Sequence, residues 1–220
     1  MKTHILFDLD GTLIDSKLGI TNGAMFSLQS MGIEVPDPRQ LERLIGPPIR
    51  DSYRDIFGLD AQQTEAAVAK YREYYATQGL YECSLYPGIP HMLESLKSSG
   101  KTLAVATSKA IGYAQQILAH LDIAHYFTFV AGSELDGRRS TKQEVIQYTL
   151  NHLDNPPKST VLMVGDTKYD MEGARLIGID PIGVLYGYGD HQELTAAQAK
   201  HITPTVDALT QLLLREDTPW

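Results

Sequence analysis

The chain has 220 residues, 43% of them hydrophobic and 21% charged, with a formal net charge of -8; that is ordinary for a globular protein, with room for one large domain or a core plus a small one. The acidic balance argues against general affinity for nucleic acid or an anionic membrane, both of which select basic faces, yet it leaves room for a small anionic substrate in a locally positive cleft. A single cysteine, Cys83, excludes an internal disulfide, no apolar run approaches the ~20 residues of a membrane span, and Asp8 interrupts the first apolar run, so a cytoplasmic protein without a signal peptide is expected.

His4-Ile5-Leu6-Phe7 reads as a buried strand. Asp8 and Asp10 follow it two residues apart, so an extended backbone points both side chains the same way. Gly11 lets the chain turn directly after them. Two clustered carboxylates repel each other unless a cation or a shared proton offsets the cost. A bare Asp-x-Asp reads as a strand end with a solvated Asx-type turn, but here the pair runs on into Gly11-Thr12-Leu13 and Asp15-Ser16. Helical patterning then begins. Leu18, Ile20, Met25, Leu28 and Met31 form an imperfect apolar face that stops near Gly32. Proline breaks follow at Pro36 and Pro38 and at Gly46-Pro47-Pro48. Tyr53, Ile56 and Phe57 share a helix face, and residues 60–79 make a long helix with Ala67, Tyr71, Tyr74 and Tyr75 as its buried stripe. Residues 16–83 therefore read as all-helical.

The character changes at Leu85-Tyr86-Pro87-Gly88-Ile89-Pro90, where turn and proline signals precede an alternation of helix and strand. A helix over 89–99 leads to a strand over 103–106, and a helix over 110–121 to a strand over 127–130. A helix over 142–153 leads to a strand over 160–164. A helix carrying Met171, Ala174, Leu176 and Ile177 leads to a strand over 181–184, and a short helix over 206–214 follows. The fold class expected is α/β, a Rossmann-like, mainly parallel sheet with helices on both faces, interrupted after its first strand by the helical segment.

Polar groups gather just past the predicted strand ends, where open α/β sheets bind ligands. Thr107 and Ser108 close a strand and open a helix, a place for an N-cap, for hydroxyls and amides on a phosphate, or for both at once. Ser140-Thr141-Lys142-Gln143-Glu144 contains two overlapping capping-box patterns, and either places Lys142 in a first helical turn. A cation there opposes the helix dipole, whereas a bound phosphate would reverse the sign. Asp166 and Asp170 stand four apart at a helix start, so both can face one site; the dipole alone also favours carboxylates there. Together with Asp8 they concentrate more negative charge than a dry cleft tolerates, which a hard divalent cation, Mg²⁺, resolves. Arg138 and Arg139 read as solvated loop residues, with substrate contact as the alternative, and the seven histidines show no metal-ligand spacing.

The stretch from Asp8 to Ser16 closely resembles motif I of the haloacid dehalogenase superfamily in its phosphatase form. Thr107-Ser108-Lys109 resembles motif II, Lys142 motif III and Gly165-Asp166-Thr167-Lys168-Tyr169-Asp170 motif IV, in the family's order. The resemblance implies a core of residues 1–15 and 84–220 and a helical cap of residues 16–83, with the crossings as hinge. It implies Asp8 as nucleophile and Asp10 as general acid and base. Gly11, Thr12, Thr107, Ser108 and Lys142 would contact phosphate. The Asp8 carboxylate, the Asp10 carbonyl and Asp166 would ligate Mg²⁺ directly, and Asp170 through water. Arg50, just beyond Gly46-Pro47-Pro48, is the cap residue chosen for substrate contact, against the plain alternative of a surface arginine. The whole chain is similar to bacterial phosphoglycolate phosphatases and 5′-nucleotidases, which implies a small phosphorylated metabolite as substrate; on the charge balance, neither nucleic acid nor membrane is expected as partner. Rival readings are a phosphomutase of the β-phosphoglucomutase kind and a non-catalytic phosphate-binding protein. Monomer and homodimer are not distinguished.

Overall fold

Apolar runs too short for helices, bounded by turns, build the central sheet. The structure, a computed structural model, describes residues 2–35, 37–47 and 49–215; Pro36 and Pro48, members of the two expected proline breaks, lie outside it. In chain order the strands are β1 (His4–Phe7), β2 (Ile14–Asp15), β3 (Ser84–Leu85), β4 (Thr102–Ala110), β5 (Phe129–Ser133), β6 (Val161–Gly165), β7 (Asp180–Val184) and β8 (His201–Thr203). The helices are α1 (Lys17–Ser30), α2 (Ile49–Phe57), α3 (Ala61–Tyr75), α4 (Ile89–Ser98), α5 (Ile111–His120), α6 (Lys142–His152), α7 (Lys168–Ile177), α8 (His191–Ala196) and α9 (Val206–Leu214). The chain divides into two compact units, Met1–Ile14 with Leu85–Trp220, and Asp15–Ser84.

The first unit holds a six-stranded sheet in the order β5-β4-β1-β6-β7-β8, parallel at every pairing. β1 is central, with His4 beside Thr102 on one side and Val161 on the other. Leu6, Ala104, Val161 and Met163 pack under α6 and α7 with Val145, Ile146, Leu150, Ala174 and Ile177. On the opposite face Ile5, Phe7, Leu103, Val105, Leu162 and Val164 are equally buried. Covering on both faces explains why these strands read as continuous apolar runs rather than alternating ones.

Three details differ from the sequence expectation. β4 runs to Ala110 rather than ending at Ala106, because its pairing with β5 resumes at Ala110 beside Ser133 after a register shift. Its hydrogen-bonded edge, not its hydropathy, sets its length. β5 starts two residues past Phe127, after a short 3₁₀ turn over Ala124–Tyr126. Neither β8 nor α8 was expected: at 3 and 6 residues they are too short to carry a periodicity.

Among its described residues the regular elements of the second unit are helices and short 3₁₀ segments, save that Asp15 ends β2 and Ser84 begins β3; β2 and β3 form a two-stranded ribbon. The side chain of Asp60 caps α3 and Gln63 returns the bond, a full capping box. Ala67, Val68, Tyr71 and Tyr75 form the buried stripe of α3, with Tyr71 and Tyr75 stacked at 5.1 Å. Tyr74, expected in that stripe, is only half-buried; its hydroxyl donates to Glu82 at 3.0 Å, a polar partner that the core does not supply. Among the described residues no helix is long and apolar enough to cross a membrane.

Candidate active site

β1 feeds β4 and β5 on one side and the chain then returns to build β6, β7 and β8 on the other. The crevice at the carboxyl end of β1 is thus the topological switch point of the sheet, where such folds bind ligands. Asp8 sits there, its amide donating to the Val164 carbonyl at 2.9 Å. The Leu9 carbonyl then accepts the amides of Thr12, Leu13 and Ile14 at 3.3, 2.9 and 3.1 Å, so the chain reverses in one tight turn. Gly11 has φ +79° in that turn, and a Cβ there would lie 2.0 Å from Asp166 Oδ2. Only glycine meets both conditions. Thr12, fully buried, donates to Asp166 Oδ1 at 3.3 Å, and the Tyr186 hydroxyl donates to its carbonyl at 3.1 Å.

Carboxylate oxygens of Asp8, Asp166 and Asp170 lie within 4.8 Å of one another. Asp166 and Asp170 are 0% exposed. Lys142 reaches into this group, its Nζ 2.8 Å from Asp8 Oδ1 and 2.7 Å from Asp170 Oδ1, and it donates to the Ala106 carbonyl at 3.2 Å. Of the two capping-box patterns the structure uses Thr141 with Glu144, which makes Lys142 the first residue of α6. Asp170 divides its oxygens: Oδ2 accepts the amide and hydroxyl of Thr167 at 3.1 and 3.0 Å in the cap of α7, and Oδ1 meets Lys142. Helix capping and site construction are the same contact.

One ammonium does not balance three buried carboxylates. Burial, with the Asp170 and Asp10 charges, pushes the Asp8 carboxyl up to about 6 despite Lys142. Burial, then Asp170 and Asp8, holds Asp166 well above the usual carboxylate range. Burial would lower Lys142, but the Asp170 and Asp8 carboxylates outweigh it and keep the ammonium more basic than usual. Clustered oxygen donors with excess negative charge match a hard divalent cation.

Asp10 stands apart from this group. Its Oδ2 is 2.8 Å from Lys109 Nζ, and its buried Oδ1 accepts no hydrogen bond among the described residues. Thr107 and Ser108 directly precede Lys109 in sequence, but neither caps a helix: α5 begins at Ile111 with Ala110 as its N-cap and no side-chain bond. Because β4 continues past them, the Thr107 hydroxyl instead accepts the Lys109 amide at 3.2 Å. Arg50 lies in α2 of the second unit, half-exposed, its guanidinium on Glu65 at 2.6 and 2.9 Å. Arg138 is exposed and pairs with Asp136. Arg139 is not the solvated residue expected: it bonds Glu134 and the Gly132 carbonyl and lies 4.1 Å over the Tyr148 ring, so it braces its own loop.

Two contributors escaped the sequence reading. Lys109 was visible only as part of a motif. The Tyr186-Gly187-Tyr188-Gly189 strap follows β7 at the same sheet edge, and the Tyr188 amide donates to Asp166 Oδ2 at 2.9 Å. A Cβ on Gly187 would lie 2.2 Å from the Gly11 carbonyl, and one on Gly189 1.9 Å from that of Asp166. Alternating glycines just past a strand end were the available signal.

A family model described as haloacid dehalogenase-like hydrolase matches residues 5–184. A 5′-nucleotidase of Pseudomonas aeruginosa is 42% identical over 210 residues, covering 96% of this chain and 95% of its own. Tyrosine-protein kinase PtkA of Mycobacterium tuberculosis is 38% identical over 211 residues, covering 95% of this chain and 72% of its own. The crystal structure of a predicted phosphatase from Clostridium acetobutylicum superimposes with a TM-score of 0.93 at 40% identity, over 97% of this chain and 99% of that one.

Proposed function

We propose that this chain, which belongs to the haloacid dehalogenase-like hydrolase family and is a phosphatase of its kind, hydrolyses small organic phosphate monoesters with Mg²⁺ through an aspartyl-phosphate, an acyl phosphate on Asp8. One observation carries the reading: the carboxylates of Asp8, Asp166 and Asp170 cluster about the buried ammonium of Lys142, while Asp10 keeps one buried oxygen that accepts no hydrogen bond among the described residues.

Asp8 attacks phosphorus and the bond to the leaving oxygen breaks. Asp10 gives that oxygen its proton. Asp10 then takes a proton from water, whose oxygen attacks the same phosphorus, and the bond to Asp8 breaks to release inorganic phosphate. Lys142, the hydroxyls of Thr12, Thr107 and Ser108 and the turn at Gly11 hold the phosphate oxygens. The Asp8 and Asp166 carboxylates and the Asp10 carbonyl would hold Mg²⁺, with Asp170 behind them; when bound, the cation would supply charge neutralisation for the carboxylates and the phosphate. The Asp15–Ser84 unit acts as the cap that selects the leaving group, with Arg50 as its contact. A cytoplasmic location belongs to the same reading, on the lone Cys83.

The test is phosphate release across nucleotides, sugar phosphates and phosphoglycolate, with Mg²⁺ and with excess chelator. Full turnover in chelator rejects the metal. The kinase name of one relative gives a second reading, transfer to a protein tyrosine in place of water; label retained on a protein acceptor, with no free phosphate, would favour it. Label passed between positions of a sugar bisphosphate would favour the mutase instead.

A further inference from the structure

We propose that Lys109 is a positioning residue that holds Asp10 by one oxygen and so presents the other to the leaving group. The inference rests on the reading of Asp10 as acid and base given above. Lys109 Nζ lies 2.8 Å from Asp10 Oδ2, with the two side chains 7% and 16% exposed. The other oxygen, Oδ1, is buried and accepts no hydrogen bond among the described residues. The terminal torsion of an aspartate is broad and nearly two-fold, so nothing in the side chain itself keeps its two oxygens apart. An ion pair to one of them does.

The backbone around Lys109 is built to aim it. β4 and β5 pair at Ala106 with Ala131 and again at Ala110 with Ser133. Three residues on β4 thus oppose Gly132 alone on β5, a bulge that lifts Thr107, Ser108 and Lys109 out of the ladder. Bulges beside active sites commonly re-aim a side chain in this way. This one is pinned at three points. The Thr107 hydroxyl accepts the Lys109 amide at 3.2 Å, the Ser133 hydroxyl donates to the Ser108 carbonyl at 2.8 Å, and Gly132 leaves space that a Cβ would fill at 2.5 Å from the Lys109 carbonyl. The two buried lysines of the site therefore serve different carboxylates: Lys142 pairs with Asp8 and Asp170, Lys109 with Asp10.

The experiment compares Lys109→Met, which keeps the buried stem and removes the charge, with Lys109→Arg and Asp10→Asn. For each, the rate at which phosphate appears on Asp8 is followed by acid quench in a single turnover, with the best alkyl phosphate from the substrate screen and with 4-nitrophenyl phosphate, whose leaving group hardly needs a proton. General-acid help is worth about 10² to 10⁴. Lys109→Met should therefore slow phosphoenzyme formation from the alkyl ester about 10-fold or more and leave that from 4-nitrophenyl phosphate nearly unchanged, with partial recovery in Lys109→Arg; the later water step, common to both esters, slows equally for both. Equal effects of Lys109→Met on phosphoenzyme formation from both esters, with Asp10→Asn still discriminating between them, overturn the role of Lys109 alone. If Asp10→Asn does not discriminate either, the reading of Asp10 fails first and this inference with it. Ser133→Ala, which loosens the bulge without touching a charge, guards against a misfolded Lys109→Met. It should show the same bias in smaller measure, and equal effects on both esters count against the proposal there too.

Discussion

Asp8 and Asp10 leave the same strand end two residues apart, yet each has its own cation, Lys142 at 2.8 Å and Lys109 at 2.8 Å. Different partners permit different roles, and isosteric substitution separates them. In the proposed reaction Asp8→Asn abolishes turnover and phosphoenzyme together, because an amide forms no bond to phosphorus. Asp10→Asn slows both steps but still accumulates phosphoenzyme from an activated ester, seen by acid quench and mass spectrometry of the Asp8 peptide. Near-native activity in Asp8→Asn, or label on a serine or histidine, would refute the scheme. The carboxylates of this pocket were legible in the sequence because each stands directly after an apolar strand or at the start of a helix, so parallel topology alone brings them together. The partner of Asp10 was not. It depends on a bulge that pairing with β5 imposes, and no periodicity within residues 102–110 encodes it.

Among the elements, the strap that follows β7 does most to fix a carboxylate. The Tyr188 amide holds Asp166 Oδ2 at 2.9 Å, and Gly189 passes so near that a Cβ would lie 1.9 Å from the Asp166 carbonyl. A methyl group at that distance requires backbone movement rather than a rotamer change, since a protein interior is close-packed. Gly189→Ala should therefore displace the strap, release Asp166 and weaken Mg²⁺ binding; we expect at least a 10-fold rise in the Mg²⁺ concentration that half-stabilises the protein in a thermal titration. An unchanged titration would remove the strap from the metal site. The strap illustrates what sequence patterning carries at this scale. The long helices and the inner strands were readable from their apolar faces. β8 and α8 were too short to read, and the extension of β4 to Ala110 comes from pairing across strands. Close backbone approach leaves no mark except the glycines that allow it.

At the scale of the whole molecule, charge links the site to stability and to selectivity. Arg50 belongs to the helical unit and spends its guanidinium on Glu65. If it also meets substrate, Arg50→Ala should raise KM for the preferred ester several-fold and spare 4-nitrophenyl phosphate, whereas Glu65→Ala, which breaks the same ion pair, should not; matching profiles would make Arg50 a surface residue only. The core unit carries a larger effect. Without a cation, the folded Asp8 carboxyl titrates at about 6, against 3.8 for an unperturbed aspartate, and Asp166 is raised as well. A raised carboxyl means that the native state binds more protons than the unfolded chain between those values. Its contribution is therefore fully present below about pH 4 and is lost as the pH rises through 6. For Asp8 the loss is on the order of 2–3 kcal/mol. Asp8→Asn carries no such proton, so in chelator it should gain stability relative to the native sequence by about that amount between pH 4 and 7. Mg²⁺ at about 100 times its Kd should restore roughly 2.7 kcal/mol to the native sequence, and should do so at pH 7 but hardly at pH 4.5, where protons occupy its ligands. Urea melts of both proteins at the two pH values, with chelator and with Mg²⁺, measure each of these differences. A stability gap between them that does not change with pH in chelator would show that Asp8 is not raised, and the charge imbalance from which the cation site was inferred would be absent.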